Sequence, residues 1–178
     1  SWVLDTVQGY RIELIQTPTQ IKPHPPLYFS QQDMNFIDSE IQSLLLKHAI
    51  ALSSPHPGGF CSNVFLVQKK GGGQRLVLNL REFNPWVVYR HFKMEGIHLL
   101  RDLLQHKDWM VRLDLKDAYL TVPIFPPHRR FLQFQWRHLW FEYLSLPFGL
   151  SSAPWVFTKL MKPIVQRLRE LGVCLIIY

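Results

Sequence analysis

An aspartate at the end of an apolar segment is the residue best suited to chemistry in this chain of 178 residues. Asp114 follows the β-prone run 109–113 and lies three positions before a second acid, Asp117. A carboxylate at the end of a strand is exposed at the sheet edge and can bind a hard cation such as Mg²⁺. Phosphoryl transfer by two metal ions requires clustered carboxylates. A lone aspartate after a strand is more often a helix cap, so both interpretations remain open for this position alone.

Basic residues around a triple glycine form a second candidate site. Lys69, Lys70 and Arg75 flank the glycines at 71–73. Glycines let the backbone approach a phosphate group, and flanking cations neutralise its charge. A solvent-exposed turn rich in lysine and glycine has the same composition. The pattern therefore indicates either a phosphate site or a plain turn.

The segment 146–150, Leu-Pro-Phe-Gly-Leu, is a third candidate because it precedes a predicted helix. Its glycine, Gly149, would allow a substrate to approach closely, and a helix start favours anions. The alternative is an ordinary junction between a loop and a helix.

Helices that could position these residues are predicted from apolar side chains at helical spacing. The first is capped by Ser30, with Asp33 completing a variant of the capping box, and extends to about residue 48. A short amphipathic helix covers 97–105. A long one spans about 152–171 and contains Pro163, which should kink it.

Strands are predicted from alternating apolar residues bounded by turn signals. Two β-hairpins follow, at 64–67 with 76–80 and at 131–136 with 140–144. The apolar run 173–178 predicts a buried strand whose edge, if unpaired, would promote aggregation. The proline-rich stretch 1–29 predicts an extended lead-in.

Charge and cysteine content limit the class of protein. The net charge is +7, and residues 63–178 carry +9 against −2 for residues 1–62. This basic balance favours polyanionic partners, nucleic acid first. Cys61 and Cys174 are not in metal-binding spacing, which argues against a disulfide scaffold or structural zinc and suits an intracellular setting, in cytoplasm or nucleus. No apolar run reaches the roughly 18 residues of a membrane span.

Four blocks of sequence in a fixed order carry a resemblance to a known family. They are residues 62–73, 91–95, 113–119 and 146–154. On these blocks the chain resembles the reverse transcriptases of retroelements. Within that family it looks most like the DIRS-type retrotransposons, which encode a tyrosine recombinase.

The resemblance implies an α+β fold in which helices pack on an antiparallel sheet to form the fingers and incomplete palm of a right-hand polymerase. Residues 1–29 would then be the lead-in and residues 30–108 mainly fingers. Residues 109–178 would be mainly palm, with a fingers-side hairpin near 131–144, and the palm would be truncated at Tyr178.

The resemblance also implies roles for individual residues. Asp114 would be a catalytic aspartate that binds two Mg²⁺ ions together with the backbone carbonyl of Leu115. The residues implied to bind the nucleotide are Lys69, Arg75, Asp117, Ala118, Tyr119, Phe148 and Gly149. Those implied to contact template or primer are Arg81, Asn84 and Pro154. Among the nucleotide residues, Tyr119 would be the steric gate that excludes a ribose 2′-hydroxyl, and it would also pack in the core.

The implied parent enzyme copies an RNA or DNA template from a primer, using deoxynucleoside triphosphates. It would continue from Tyr178 into a Tyr-x-Asp-Asp turn, a thumb and an RNase H domain, so we expect this chain alone to be inactive. The rival hypothesis is a non-catalytic nucleic-acid-binding remnant or a degenerate element copy. That remnant would use a set of cations on phosphates, namely Lys69, Lys70, Arg75, Arg129 and Arg130.

Overall fold

The computed structural model describes residues 1–21, 25, 27–69 and 71–177. These residues contain four α-helices, which are α1 Trp2–Gln8, α2 Gln31–Leu46, α3 Ile97–Leu103 and α4 Ala153–Glu170. They also contain five strands, which are β1 Ile50–Ser53, β2 Val64–Gln68, β3 Gln74–Leu78, β4 Gln133–Trp136 and β5 Leu139–Tyr143. The predicted α+β class is confirmed. The predictions that involve Lys70, Tyr178 and the residues Pro23, His24 and Pro26 fall outside this description.

The strands form two antiparallel units, and both predicted hairpins are confirmed. β2 pairs with β3, and β4 pairs with β5 in a three-stranded sheet of order β1-β5-β4. Across the second hairpin, the rings of Phe134 and Phe141 stack with centroids 5.2 Å apart. β1 was not predicted, because its four residues show no clear alternation. It becomes a strand by pairing with β5, with Ile50 opposite Tyr143.

The cap predicted for α2 is confirmed. The Asp33 backbone N–H donates to Ser30 Oγ at 3.1 Å, and Ser30 Oγ donates to Asp33 Oδ2 at 2.8 Å. One face of the helix, including Ile37 and Ile41, is buried in the core. α2 thus packs on the core and leads directly into β1.

The N-terminal region is not the extended lead-in that its prolines suggested. Residues 2–8 form α1, because the first proline stands only at position 18 and restrains nothing before it. Trp2 packs on Trp155 of α4 with ring centroids 5.4 Å apart. After the helix, Tyr10 and Ile12 are buried in the main core. This region is therefore an integral part of the fold.

Two predicted strands are absent from the part of the chain that the structure describes. Residues 109–113 form no ladder, and Trp109 is 100% exposed. Residues 173–177 are likewise unpaired, and Val173 is 46% exposed. Apolar, β-prone composition is only a preference, and a strand needs a partner that supplies hydrogen bonds. Neither run meets such a partner among the described residues.

Side chains rather than a ladder hold the segment 173–177. Arg169 Nη2 donates to both carboxylate oxygens of Glu95 at 2.7 Å and to the Leu175 carbonyl at 2.9 Å. The Ile177 backbone N–H donates to Glu95 Oε2 at 3.1 Å. These bonds tie the end of α4, the loop before α3 and the segment 173–177 together.

α4 lies within one or two residues of its predicted bounds, and Pro163 stands inside it. Pro154 occupies its first turn, where a missing backbone N–H costs nothing. Over the described ranges, no helix has the length and apolarity needed to cross a bilayer.

Candidate functional site

A cavity of about 470 Å³ opens where the end of α2, the β2–β3 hairpin, residues 114–120 and Phe148 meet. It brings together most of the residues that sequence analysis singled out, although they come from distant parts of the chain. Those lining it are Lys69, Arg75, Asp114, Leu115, Asp117, Ala118, Tyr119 and Phe148. The hairpin therefore supplies two cations to the same space that Asp114 enters.

A second cavity of about 290 Å³ adjoins the first. Asp114 and Tyr119 line both, so they stand at the boundary between the two. The far wall of the second cavity is made by Pro154 of α4 and by Ile176 and Ile177. The predicted template or primer residue Pro154 thus lines the same cavity as Asp114.

A row of side chains in contact with aromatic rings forms one wall of the site. The Arg75 guanidinium lies 4.4 Å from the centroid of the Phe148 ring, a cation–π contact. The Tyr119 ring lies 5.2 Å from that of Phe148 and 5.7 Å from that of Phe157. Burial raises the pKa of the Tyr119 hydroxyl, so it stays protonated at neutral pH. The row fixes the direction of Arg75 and leaves Tyr119 facing both cavities.

Asp117 is engaged by a residue that sequence analysis missed. Lys47, just after α2, places its Nζ 2.8 Å from Asp117 Oδ2. The hydrogen bond from Lys47 lowers the pKa of the Asp117 carboxyl, and the charges of Lys116 and Arg75 act in the same direction. Asp117 adopts a left-handed backbone, with φ of 54°. No local pattern links two residues 70 positions apart, so the sequence carries no signal for this pair.

The oxygen donors in the cavity suit a hard cation but are few. Asp114 is exposed and offers a carboxylate, Leu115 offers a carbonyl, and the Asp117 carboxylate is held by Lys47. Among the described residues, no group of three or more histidine, cysteine or acidic side chains could hold a metal ion. Mg²⁺ prefers octahedral oxygen coordination. The type of donor therefore fits magnesium, but the cavity has too few oxygen donors to fill its coordination, so further oxygens must come from elsewhere.

Asn84 and Gly149 shape the site without lining either cavity. Asn84 Nδ2 donates to the Gly149 carbonyl at 2.9 Å, and the Ser151 backbone N–H donates to Asn84 Oδ1 at 2.9 Å. Gly149 has φ of 106°, and a Cβ there would lie 2.5 Å from the Leu78 carbonyl oxygen. Both residues hold the loop that carries Phe148 against β3.

The match to a protein-family model decides the family. The model described as "Reverse transcriptase (RNA-dependent DNA polymerase)" matches residues 67–178, more than half of the chain. The chain belongs to the reverse transcriptase family. The expectation drawn from the four sequence blocks is thereby confirmed at the level of the family.

Relatives of this reverse transcriptase chain are viral and transposon polyproteins. The Pol polyprotein of equine infectious anemia virus (strain Wyoming) is 29% identical over 140 residues, which cover 73% of this chain and 12% of the relative. The transposon Tf2-3 polyprotein of Schizosaccharomyces pombe is 28% identical over 166 residues, covering 93% of this chain and 11% of the relative. The chain thus spans only a small part of these relatives.

A solved structure supports the fold of this reverse transcriptase chain. It is described as the foamy viral protease-reverse transcriptase in complex with dsDNA, with a TM-score of 0.69 and 18% identity. The match covers 88% of this chain and 32% of the other. At that identity the likeness concerns the fold.

The other basic residues predicted to bind nucleic acid in the reverse transcriptase chain, Arg81, Arg129 and Arg130, lie outside both cavities. Arg129 Nε donates to the Ile124 carbonyl at 3.1 Å, and the Arg130 guanidinium lies 4.8 Å from the Phe131 ring centroid. Both side chains are half-buried. Arg81 is exposed and lines neither cavity. The cation set expected for a binding remnant is thus divided, with Lys69 and Arg75 in the cavity and Arg129 and Arg130 in internal contacts.

Proposed function

We propose that this chain carries the nucleotide-binding and first catalytic elements of an RNA-directed DNA polymerase. The parent enzyme would perform template-directed nucleotidyl transfer. The primer 3′-hydroxyl attacks the α-phosphate of a deoxynucleoside triphosphate, and pyrophosphate leaves. The observation that carries this proposal is the convergence of Lys69, Arg75 and Asp114 on one cavity in a member of the reverse transcriptase family.

In this proposal the cations of the hairpin hold the triphosphate. Lys69 and Arg75 neutralise its charge, and the Phe148 ring keeps the Arg75 guanidinium directed at the cavity. Asp117 and Ala118 line the same space, and their backbone would face the triphosphate. Such a site accelerates the reaction by positioning the reactants and by electrostatic stabilisation.

Tyr119 would select the sugar. Its ring is fixed between Phe148 and Phe157 and lies at the boundary of the two cavities. A rigid ring there leaves no room for a ribose 2′-hydroxyl beside the bound nucleotide. The same contacts give Tyr119 its packing role, so both predicted roles are proposed together.

Asp114 and the Leu115 carbonyl would hold Mg²⁺, because they are neighbouring hard oxygen donors that line both cavities, and the nearby Asp117 carboxylate is engaged by Lys47. When bound, magnesium neutralises the charge that develops on the transferring phosphoryl group. Two such ions require further carboxylates, and the described residues hold no cluster that could provide them. We therefore propose that the chain alone does not extend a primer.

The parent polyprotein is proposed to be of the DIRS type, with a thumb and an RNase H domain beyond this chain and an intracellular site of action. The support is the resemblance carried by the four ordered blocks 62–73, 91–95, 113–119 and 146–154. Sequencing the source element tests this proposal. A neighbouring tyrosine recombinase gene is expected, and an integrase in its place would refute the DIRS assignment.

The experiment that tests the nucleotide site compares deoxy- and ribonucleotide binding. Fluorescent dATP and ATP are titrated with Mg²⁺ into the chain and into Tyr119→Ala. We expect the chain to prefer dATP, and Y119A to lose about tenfold of that preference, which equals ~1.4 kcal/mol. Tyr89→Ala, at an exposed tyrosine outside both cavities, is the control. Equal binding of the two nucleotides by the unmodified chain would reject the proposal.

A further inference from the structure

The Lys47–Asp117 ion pair lies inside the proposed triphosphate cavity. Both residues line it, and their side chains are 42% and 36% exposed. Ion pairs with this exposure contribute only about 0–1 kcal/mol to stability. The pair is therefore poorly explained as a support of the fold, and its position in the cavity calls for another role.

Lys47 decides the sign of the charge in the cavity. The ionisable residues that line it, tyrosines aside, are the cations Lys47, Lys69, Arg75 and Lys116 and the acids Glu40, Asp114 and Asp117. Their formal sum is +1 with Lys47 and zero without it. Lys47 thus gives this cavity its net positive charge, which strengthens the attraction of a strongly anionic ligand.

The Asp117 carboxylate lies in the field of several of these cations at once. Lys47 donates a hydrogen bond to it at 2.8 Å, and Lys116 and Arg75 also act on its charge. A phosphate group carries more charge and more acceptor oxygens than a carboxylate. It would compete with Asp117 for the Lys47 ammonium group.

We propose that Lys47 is a further phosphate-binding cation of this cavity, and that Asp117 is the counter-ion that holds it when no nucleotide is bound. This inference rests on the proposed function, since it assigns another residue to the same triphosphate. On binding, the Lys47 ammonium exchanges the Asp117 carboxylate for a phosphate oxygen, and no covalent bond changes.

The proposal and a purely structural ion pair predict opposite effects of one variant. Asp117→Asn removes the competing charge and frees Lys47, so triphosphate affinity should rise. A structural pair, in contrast, would be broken equally by Asp117→Asn and Lys47→Met, and both variants would bind more weakly.

The first experiment titrates fluorescent dATP with Mg²⁺, and inorganic tripolyphosphate without metal, into the chain and its variants. We expect K47M to weaken both ligands about fivefold and D117N to strengthen both about threefold. Lys47→Arg should retain most of the affinity. The matched control is Arg137→Gln, which breaks another ion pair of α2, with Asp38, outside the cavity. It should change neither affinity.

The second experiment needs no variant. Lysine acetylation is followed by mass spectrometry with and without tripolyphosphate. Modification of Lys47 should fall at least threefold, whereas Lys162 on the exposed face of α4 should be modified equally in both samples. This measurement remains informative if a variant fails to fold.

The outcomes separate this inference from the proposed function. If the unmodified chain binds neither ligand, the triphosphate site itself is wrong, and this inference fails with it. If the chain binds but D117N and K47M weaken binding alike, or Lys47 stays unprotected, only the role of Lys47 is refuted.

Discussion

At the scale of single residues, the site depends on side chains whose direction is fixed by aromatic neighbours. Arg75 projects from β3 and is stacked on Phe148, which in turn contacts Tyr119. A guanidinium held in this way loses less conformational entropy on binding a phosphate than a free lysine would. Exchanging arginine for lysine at this position is therefore not conservative.

The variant Arg75→Lys tests this stacking. The charge remains, but the planar fork of donors and its stacking on the Phe148 ring are lost. We expect dATP affinity to fall about fivefold, in line with a cation–π contribution of ~1 kcal/mol. Arg167→Lys, on the exposed surface of α4, is the control for the same chemical change. Unchanged affinity in R75K would show that charge alone acts at this position.

Gly149 allows a second prediction, on stability. Gly149→Ala must adopt φ of 106° and also place its Cβ 2.5 Å from the Leu78 carbonyl oxygen. Gly58→Ala adopts φ of 67° with open space around the Cβ, so it isolates the backbone strain. We expect G149A to lower the free energy of unfolding by more than about 2 kcal/mol and G58A by about 1 kcal/mol. Denaturant titrations measure both, and equal losses would mean that the loop moves away from β3.

At the scale of elements, α2 joins the cap at its start to the cavity at its end. Ser30 fixes the first turn, and Lys47 follows the last. The helix crosses the core between them on Ile37 and Ile41. Because Lys47 follows directly from this helix, a less stable α2 would hold Lys47 less firmly in the cavity.

The variant Ser30→Ala removes the cap of α2. It leaves the Asp33 backbone N–H without its side-chain acceptor, so unfolding free energy should fall by about 1 kcal/mol. The control is Ser39→Ala in the same helix, where the hydroxyl only donates to the Phe36 carbonyl. Thermal or denaturant unfolding of both variants checks the prediction, which fails if S39A loses as much as S30A.

The elements that sequence predicted well are those defined by local patterns. The cap of Ser30 with Asp33 and the pairing within the two hairpins are formed between residues close together in the sequence. The predictions failed where distant pairing decides. β1 exists because β5 lies beside it, and 109–113 is not a strand because no described segment pairs with it. The β-propensity of a segment alone predicts neither the strand β1 nor the absence of a strand at 109–113.

The candidate site divides in the same way. Asp114, Lys69 and Arg75 could be named from residue type and from a resemblance of ordered blocks, and the structure brings them to one cavity. Lys47 could not be named from the sequence, because its role depends on a contact with a residue 70 positions away. The structural roles of Asn84 and Gly149 likewise follow from a contact between a loop and β3 that no local pattern records.

At the scale of the whole molecule, one of the contacts that join the N-terminal region to the rest is made by His128. The Ile12 backbone N–H donates to His128 Nδ1 at 3.0 Å, which requires the neutral imidazole. Burial lowers the pKa of His128, and the charges of Arg11 and Arg130 lower it further. Protonation is therefore unfavourable in the folded state.

This contact gives the chain an acid-sensitive stability. The pKa of His128 in the folded chain lies below the ordinary value of 6.5, so the unfolded chain binds the proton more readily. The free energy of unfolding therefore falls as the pH drops from 6.5 through the folded-state pKa. His128→Asn keeps an acceptor for Ile12 but does not titrate. Its free energy of unfolding should depend less on pH between about 7 and 5. His106→Asn, at an exposed histidine, is the control, and identical slopes for H128N and the unmodified chain would contradict the prediction.

The bonds between Glu95 and Arg169 allow one wall of the site to open independently of the rest of the fold. The segment 173–177 is held by these side chains and by no ladder, so it can detach while both hairpins and the core stay folded. Its amide hydrogens, including that of Ile177, should exchange with solvent through this local opening and not through global unfolding. The opposite wall, carried by β3, can open only by breaking a hairpin. We therefore expect the two sides of Asp114 to open by different events, a local detachment on one side and the breaking of a hairpin on the other.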